Sequence, residues 1–429
     1  MINNTIIIEK LKDIKDIDFE KSYDIYYKNK YELIIYLVKR QIYCDCCGSV
    51  NVYVKSSRKS NIKYACEGIS ADITIKLTKR VYYCPDCNHY TTERSPFITK
   101  QRTISLDLDM KILNLLKDKC ISYKKVAEIC NVSVTYVQNT FDSYVNIQRG
   151  NMPQVLCIDE IYNKKLTKTH YCCTLYAPQW REIIDILPSR HKYNLIDYFS
   201  KISYEERKKV KFISIDLWEG YRSVAKLCFP DASICADSFH VVKNLMYCFD
   251  KIRISIMNKY ISLKNEGHNY YWVLKKYTYI LRKDLSKIKD TIYIKKSKMY
   301  VSKYQILDNI LSLDSTLKLA YELKEEYRNF NSTATINNAA EWLDELIIKF
   351  KKSKIKEYEV FWSLLQNWRI EIINSFNRIN GHRISNGAIE RINNDINTIY
   401  KVSFGLTNFE RTRNRIMYCL NDNAPIKGK

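Results

Sequence analysis

Three short apolar runs, each stopping at an aspartate, constrain most strongly what this chain can fold into. They are Val155–Ile158 before Asp159, Phe212–Ile215 before Asp216, and Ile234–Ala236 before Asp237. A short apolar run between polar flanks reads as a buried strand. In an open α/β sheet the reactive crevice lies beyond the carboxyl ends of the strands, so aspartates placed there converge. A fourth carboxylate, Glu390, stands in Ser385-Asn-Gly-Ala-Ile-Glu-Arg-Ile-Asn-Asn-Asp395. Hard ions such as Mg²⁺ take oxygen ligands from carboxylates and substrate phosphates. Two such ions about 4 Å apart clamp an in-line displacement at phosphorus.

The charge balance agrees with a phosphate-bearing partner. The formal net charge is +23, which predicts salt-sensitive attraction to a nucleic-acid backbone. The 35 tyrosines offer a competing origin for the charge, because AT-rich codon usage favours Lys and Tyr together. With 46% hydrophobic residues over 429 positions, the chain can build two to four domains and is not globally disordered. No stretch of about 18 apolar residues occurs, so no membrane helix is expected. Met1 to Asp13 lacks the layout of a secretory leader. A cytoplasmic protein, associated with the nucleoid when bound to DNA, is the expectation. Its 15 cysteines are then thiols or metal ligands rather than a disulfide framework.

Cys44-Asp-Cys-Cys47 and Cys84-Pro-Asp-Cys87 are two C-x-x-C knuckles. Two such pairs complete the tetrahedral shell of one Zn²⁺ ion. Between them Ile73, Ile75 and Leu77 alternate with Thr74 and Lys76, the period of a strand. The separation of 37 residues from Cys47 to Cys84 leaves room for a two-stranded insertion in a zinc ribbon. Cys46 competes with Cys44 and Cys47 as a ligand, and spacing favours the latter two. Cys66 reads as a spare thiol and His89 as a bystander.

Residues 104 to 144 read as three helices, with Asn131-Val132 as a turn and Ser133 as the cap of the last. A short helix, a tight turn and a capped second helix fit a helix-turn-helix that enters the DNA major groove. Thr135, Tyr136, Gln138 and Asn139 are the candidate base readers, Gln and Asn being suited to adenine edges.

Downstream, strands are expected at 155–158, 168–176, 181–187, 210–215 and 233–236, with helices at 193–202 and 219–228. About 130 Lys- and Tyr-rich residues, 246–375, read as helical. In the helix around Glu390, the residues Ile389, Ile392, Ile396 and Ile399 share one face and Glu390, Asn393, Asn394 and Asn397 another.

Several of these segments, in this order, resemble the ISL3 family of bacterial insertion-sequence transposases. They are Cys157-Ile-Asp-Glu160, Ile215-Asp-Leu-Trp-Glu-Gly-Tyr221, Phe229-Pro-Asp-Ala232, Ala236-Asp-Ser-Phe-His-Val-Val-Lys243 and Asn386-Gly-Ala-Ile-Glu390, followed by Phe404-Gly405 and Arg411 to Ile416. The resemblance covers roughly residues 40 to 420. It implies a multidomain α/β chain with an N-terminal zinc ribbon and helix-turn-helix, then a ribonuclease H-like catalytic core interrupted by an all-α insertion. The corresponding boundaries are an arm at 1–40, the ribbon at 41–100, the helix-turn-helix at 101–150, the core at 151–245, the insertion at 246–375, and the final core helix and tail at 376–429. By the same resemblance Asp159, Asp216 and Glu390 form a DDE triad that holds two Mg²⁺ or Mn²⁺ ions for cleavage and transfer of DNA strands. Asp237 and His240 support that site, with Asp237 the competitor of Asp216 as second ligand, and Zn²⁺ is structural. The partners implied are double-stranded DNA, as transposon ends and target, and at least a second copy of the chain on DNA. Asn397 stands where a lysine is expected and Arg391 where a glycine is. The alternative function is a catalytically silent DNA-binding regulator derived from such an enzyme.

Overall fold

The computed structural model describes residues 6–426 except 41, 67, 70, 99–101, 165, 263–269, 284–290, 295–297 and 404–406. Phe404 and Gly405 thus lie outside the described residues. The chain divides into two compact units, residues 1–148 with 395–429, and residues 149–394.

The first unit begins with a short helix, α1 (Ile6–Glu9), and strands β1 (Tyr23–Tyr27), β2 (Lys30–Tyr36), β3 (Tyr53–Tyr64), β4 (Asp72–Cys84) and β5 (His89–Thr92). The sheet runs β1-β2-β4-β3, with β5 also paired to β4. β3 and β4 are the two strands expected between the cysteine knuckles. Residues 23–36, expected within an arm, instead supply two strands. β2 lies parallel to β4 with Leu33 opposite Ile75 and Ile35 opposite Leu77, and all four are buried. Period-two alternation on both strands puts these residues on one face, where burial against Ile62 and Phe97 holds the sheet.

Three helices follow, α2 (Leu106–Leu115), α3 (Tyr123–Cys130) and α4 (Val134–Tyr144). Each is capped by a serine whose hydroxyl accepts a backbone N–H of the first turn, Ser105 from Leu108, Ser122 from Lys125 and Ser133 from Tyr136. Asn131 ends α3 in the left-handed conformation that lets the chain turn sharply into α4.

The second unit contains β6 (Val155–Tyr162), β7 (Tyr171–Ala177), β8 (Glu182–Leu187), α5 (Lys192–Ser200), α6 (Tyr204–Arg207), β9 (Phe212–Ile215), α7 (Glu219–Cys228), β10 (Ser233–Ala236) and α8 (Ser238–Lys259). Its sheet is ordered β10-β9-β6-β7-β8. β6, β7 and β8 form an antiparallel meander, while β9 and β10 run parallel to β6. The chain continues through α9 (Tyr270–Lys276), α10 (Thr278–Arg282), β11 (Thr291–Ile294), β12 (Met299–Ser302), α11 (Lys303–Leu311), α12 (Ser315–Thr333), α13 (Ala339–Lys352), α14 (Glu359–Asn367) and α15 (Arg369–Asn374). A small hairpin, β13 (Arg378–Ile379) with β14 (His382–Arg383), leads into α16 (Gly387–Val402).

The insertion is therefore not all helical. Thr291 to Ile294 are β-branched and aromatic residues that suit a hairpin with β12. Nor is it a separate body, because one continuous hydrophobic core runs from Met152 in the sheet region to Phe376. Asn374 Nδ2 donates to Ile234 O at 3.0 Å, so the end of α15 covers the edge strand β10. Arg222 on α7 makes a bidentate pair with the buried Glu371 of α15, at 2.7 and 3.0 Å, and stacks on Trp368. Trp342 packs edge-on against Phe330 in the same core.

The last helix, α17 (Phe409–Leu420), belongs to the first unit. Its buried Tyr418 donates to Leu113 O at 3.2 Å and meets the Phe141 ring edge-on. Arg411 pairs with Asp142 of α4 at 2.6 Å. Ile416, Met417 and Tyr418 bury the apolar face of α17 in this packing.

Candidate active site and metal centres

The sheet of the second unit places three aspartates level with one another. Cys157 is in register with Ser214, and Ala236 with Ile215. Continuing each ladder aligns Asp159 with Asp216 and Asp216 with Asp237 across three neighbouring parallel strands; Asp216 and Asp237 directly follow the last residues of β9 and β10, while Asp159 lies within β6, which runs on to Tyr162. Residues aligned across a parallel sheet share a face. Glu390, in the first turn of α16, reaches the same place from another element. Ligand atoms of Asp237, His240 and Glu390 lie within 4.8 Å of one another. Asp159 and Asp216 are outside that group of three but feel its charge. Burial pushes the Asp159 carboxyl up to about 7, with repulsion from Glu160, Asp216 and Asp237 adding to it against the Glu160 N–H. Burial likewise raises Asp216 to about 6, Glu160 adding and His240 opposing. Glu390 is raised by burial and by Asp237, with His240 and Lys243 working the other way.

Carboxyls raised by burial, with neighbouring carboxylates adding to it, suit a cation, and two atoms show the same need. Asp216 Oδ1 and Asp237 Oδ2 are buried and meet no hydrogen-bond donor. Oxygen donors in this state fit a hard divalent ion. The remaining oxygens are held by the chain itself. The Asn386 N–H donates to Asp237 Oδ1 at 3.1 Å, and Asn386 Nδ2 donates to Ile158 O at 3.3 Å. Asn393 Nδ2 donates to Asp159 Oδ2 at 2.7 Å. Glu160, next after Asp159 on β6, accepts from Arg190 at 2.5 Å and from Tyr221 at 3.2 Å. Arg190 is in turn stacked on Tyr171 and faces Trp218. The Trp218 ring folds over the backbone at Gly220, where a Cβ would lie 2.4 Å from it.

A second group lies in the first unit. The Sγ atoms of Cys44, Cys47, Cys84 and Cys87 are all within 4.8 Å of one another. Cys44 and Cys87 are 3.5 Å apart, and Cys47 and Cys84 3.7 Å. Zn–S bonds of about 2.3 Å in a tetrahedron separate the sulfurs by about 3.8 Å, so the spacing fits zinc and is far too long for a disulfide. The backbone N–H groups of Cys47 and Cys46 pull the Cys44 thiol down to about 6, which favours the thiolate that binds metal. Cys46 and Cys66 are not members of the group. His89 faces Asp45 at 3.0 Å.

On α4, Thr135 and Asn139 are exposed and Gln138 is partly so. Tyr136 behaves otherwise. Its hydroxyl donates to the fully buried Asp109 at 2.7 Å, beside Arg102, which binds the same carboxylate at 2.6 Å. Its hydroxyl is therefore committed to internal packing.

Residues 156–416 match the ISL3 model of the DDE transposases, described as a transposase. The chain belongs to the ISL3 transposase family. No curated protein matches it. The family match takes in all four carboxylates, His240 and the helical insertion, and begins after the cysteine group and the helices α2 to α4. A transposase of this family implies DNA as substrate and the use of divalent metal. Among the described residues no helix is long and apolar enough to cross a membrane. Sequence reasoning missed Asn386 and Arg190 as parts of this family member's site, and listed Asn393 only as one of a polar face. Their partners lie far away along the chain, where no local pattern points.

Proposed function

We propose that this transposase binds the terminal inverted repeats of an insertion sequence with its N-terminal modules and cuts and joins DNA strands at the carboxylate cluster. The observation that carries this reading is the alignment of Asp159, Asp216 and Asp237 across three neighbouring parallel strands, met by Glu390 from α16. The meander followed by two parallel strands supports a ribonuclease H-like core. The capped α3–turn–α4 pair supports a helix-turn-helix, with Thr135, Gln138 and Asn139 as the base readers.

In this reading Asp159, Asp216 and Glu390 hold two Mg²⁺ or Mn²⁺ ions, and the closeness of Asp237 to Glu390 makes Asp237 the rival of Asp216. Two such ions supply activation of the attacking oxygen, from water or a DNA 3′-hydroxyl, and stabilisation of the leaving oxygen. Asn393 and Asn386 fix the carboxylate orientations. Lys243 sets positive charge beside Glu390, where the scissile phosphate is brought, and His240 stands in the same group. The four cysteines hold Zn²⁺ and so fold the ribbon. Two ends are held together by at least a dimer on DNA.

The test is a strand-transfer assay on the element's own ends, with Mg²⁺ or Mn²⁺ against chelator. Metal-dependent joining is expected from the native chain, and Glu390→Gln abolishes it while end binding stays within about twofold. Tight end binding without cleavage under either ion would move the assignment to a silent DNA-binding regulator.

A further inference from the structure

The flank of α16 that carries Ala388, Arg391 and Ile392 borders an open cavity of about 750 Å³ that the chemistry above does not use. Glu390 and Arg391 are consecutive, so the helix turns their side chains about 100° apart. One helix thus serves the carboxylate cluster on one flank and this cavity on another. The other walls are the β7–β8 turn from Pro178 to Arg181 and the β13–β14 hairpin. That hairpin closes through Asn380 at φ +49° and Gly381 at φ +79°, the left-handed pair of a tight two-residue turn.

The lining divides into two chemistries. Arg181, Arg383 and Arg391 are among the lining residues, and no Asp or Glu is among the described residues that line the cavity. Arg383 is fixed from behind, its Nε donating to Ser375 O at 3.1 Å and its guanidinium lying 3.7 Å over the Phe376 ring. Arg181 and Arg391 are exposed. Against them stand Val155, Tyr176, Ile384, Ala388 and Ile392. The volume is that of a small-ligand site, roughly 300–1,000 Å³. A ligand matching this lining carries both a flat apolar face and phosphate charge. Bases inside a duplex keep their faces stacked, whereas an unpaired nucleotide presents its base and its phosphodiester together.

We propose that this cavity receives an unpaired nucleotide of the DNA strand being processed, its base on the apolar lining and its phosphates at Arg181 and Arg391. The proposal rests on the reading of the carboxylate cluster as the DNA-cutting site, with Glu390 at the scissile phosphate and Arg391 at a neighbouring nucleotide.

The experiment measures binding of the full-length, zinc-loaded chain, in the absence of Mg²⁺, to an end duplex that is blunt or carries a short unpaired oligothymidine tail. The native chain binds the tailed duplex more tightly. Arg181→Asn with Arg391→Gln lowers affinity for the tailed duplex by about tenfold and leaves blunt binding within about twofold. Asn keeps the positive φ of residue 181 accessible. A charge-matched control, Lys208→Gln with Lys209→Gln, preserves the preference for the tail. An equal loss on both duplexes, or no loss on either, overturns the proposal. Because binding is read without cleavage, and Glu390→Gln keeps the tail preference, the outcome is separate from any failure of the catalytic assignment.

Discussion

Asn393 Nδ2 donates to Asp159 Oδ2 at 2.7 Å, across 234 residues of sequence, while the Glu160 N–H holds Asp159 Oδ1 at 2.9 Å. Asn393 stands three residues after Glu390 on α16, so one helix brings a carboxylate to the site and orients another. Asp159 has its direction fixed before any ion or DNA arrives.

Replacing that amide tests its role. Asn393→Ala leaves Asp159 free to rotate, and removal of such a supporting hydrogen bond costs about 10–100-fold in metal affinity or activity. The expected result is slower single-turnover cleavage, recovered in part by raised Mg²⁺, with end binding unchanged. A rate that does not respond to Mg²⁺ counts against orientation of a metal ligand.

The raised carboxyls give a pH signature in chelator. Asp159 titrates at about 7 in the folded chain against an ordinary value of 3.8, so between those values the folded state binds more protons than the unfolded one. Stability then falls as pH rises through that window and stays reduced above it. Asp159→Asn removes the charge, so the variant melts higher than the native chain at pH 8 and the gap closes toward pH 4. Mg²⁺ stabilises the native chain more than the variant. Parallel melting curves across the whole range would argue against a crowded carboxylate site.

What the sequence made legible was what short-range chemistry encodes. Asp159, Asp216 and Asp237 were visible because buried runs of three or four apolar residues end at each. Cys44, Cys47, Cys84 and Cys87 were visible because two-residue spacing brings two thiolates to one ion. What escaped depends on distant partners. Leu33 and Ile35 alternate as any strand does, and nothing local says that they pair with Ile75 and Leu77. Tyr136 lies on the exposed-looking side of a short helix, yet Asp109, 27 residues earlier, captures its hydroxyl. The pairing of α17 with α2 and α4 joins residues about 270 to 305 positions apart, so no local pattern points to it.

The choice between Asp216 and Asp237 is open to direct comparison. Asp237 shares a metal-sized group with His240 and Glu390, and each aspartate carries one buried oxygen without a donor. Asp216→Asn and Asp237→Asn are near-isosteric and relieve repulsion, so both are expected to fold. The variant that removes a first ligand loses cleavage by about 10³-fold or more and shifts Mg²⁺ binding beyond the measurable range. The variant at a supporting position loses about 10–100-fold and keeps a measurable, weakened Mg²⁺ isotherm.

The zinc assignment turns on one thiol at a time. Cys84 is 1% exposed at the end of β4, and its Sγ is 3.7 Å from that of Cys47. Cys84→Ser removes one corner of the tetrahedron and leaves three thiols that repel when ionised, so bound zinc is expected to fall from one equivalent to near zero. β4 also pairs with β2, β3 and β5, so loss of the ion loosens the end of the strand that carries the knuckle while Leu33, Ile35, Ile75 and Leu77 keep the rest of the sheet packed. End binding weakens at least tenfold if the ribbon presents its basic residues to DNA. Cys46→Ser, at an exposed position outside the group, retains the full equivalent of zinc and native binding. Metal analysis of the two purified variants separates the cases, and zinc loss from Cys46→Ser with retention in Cys84→Ser would reverse the ligand assignment.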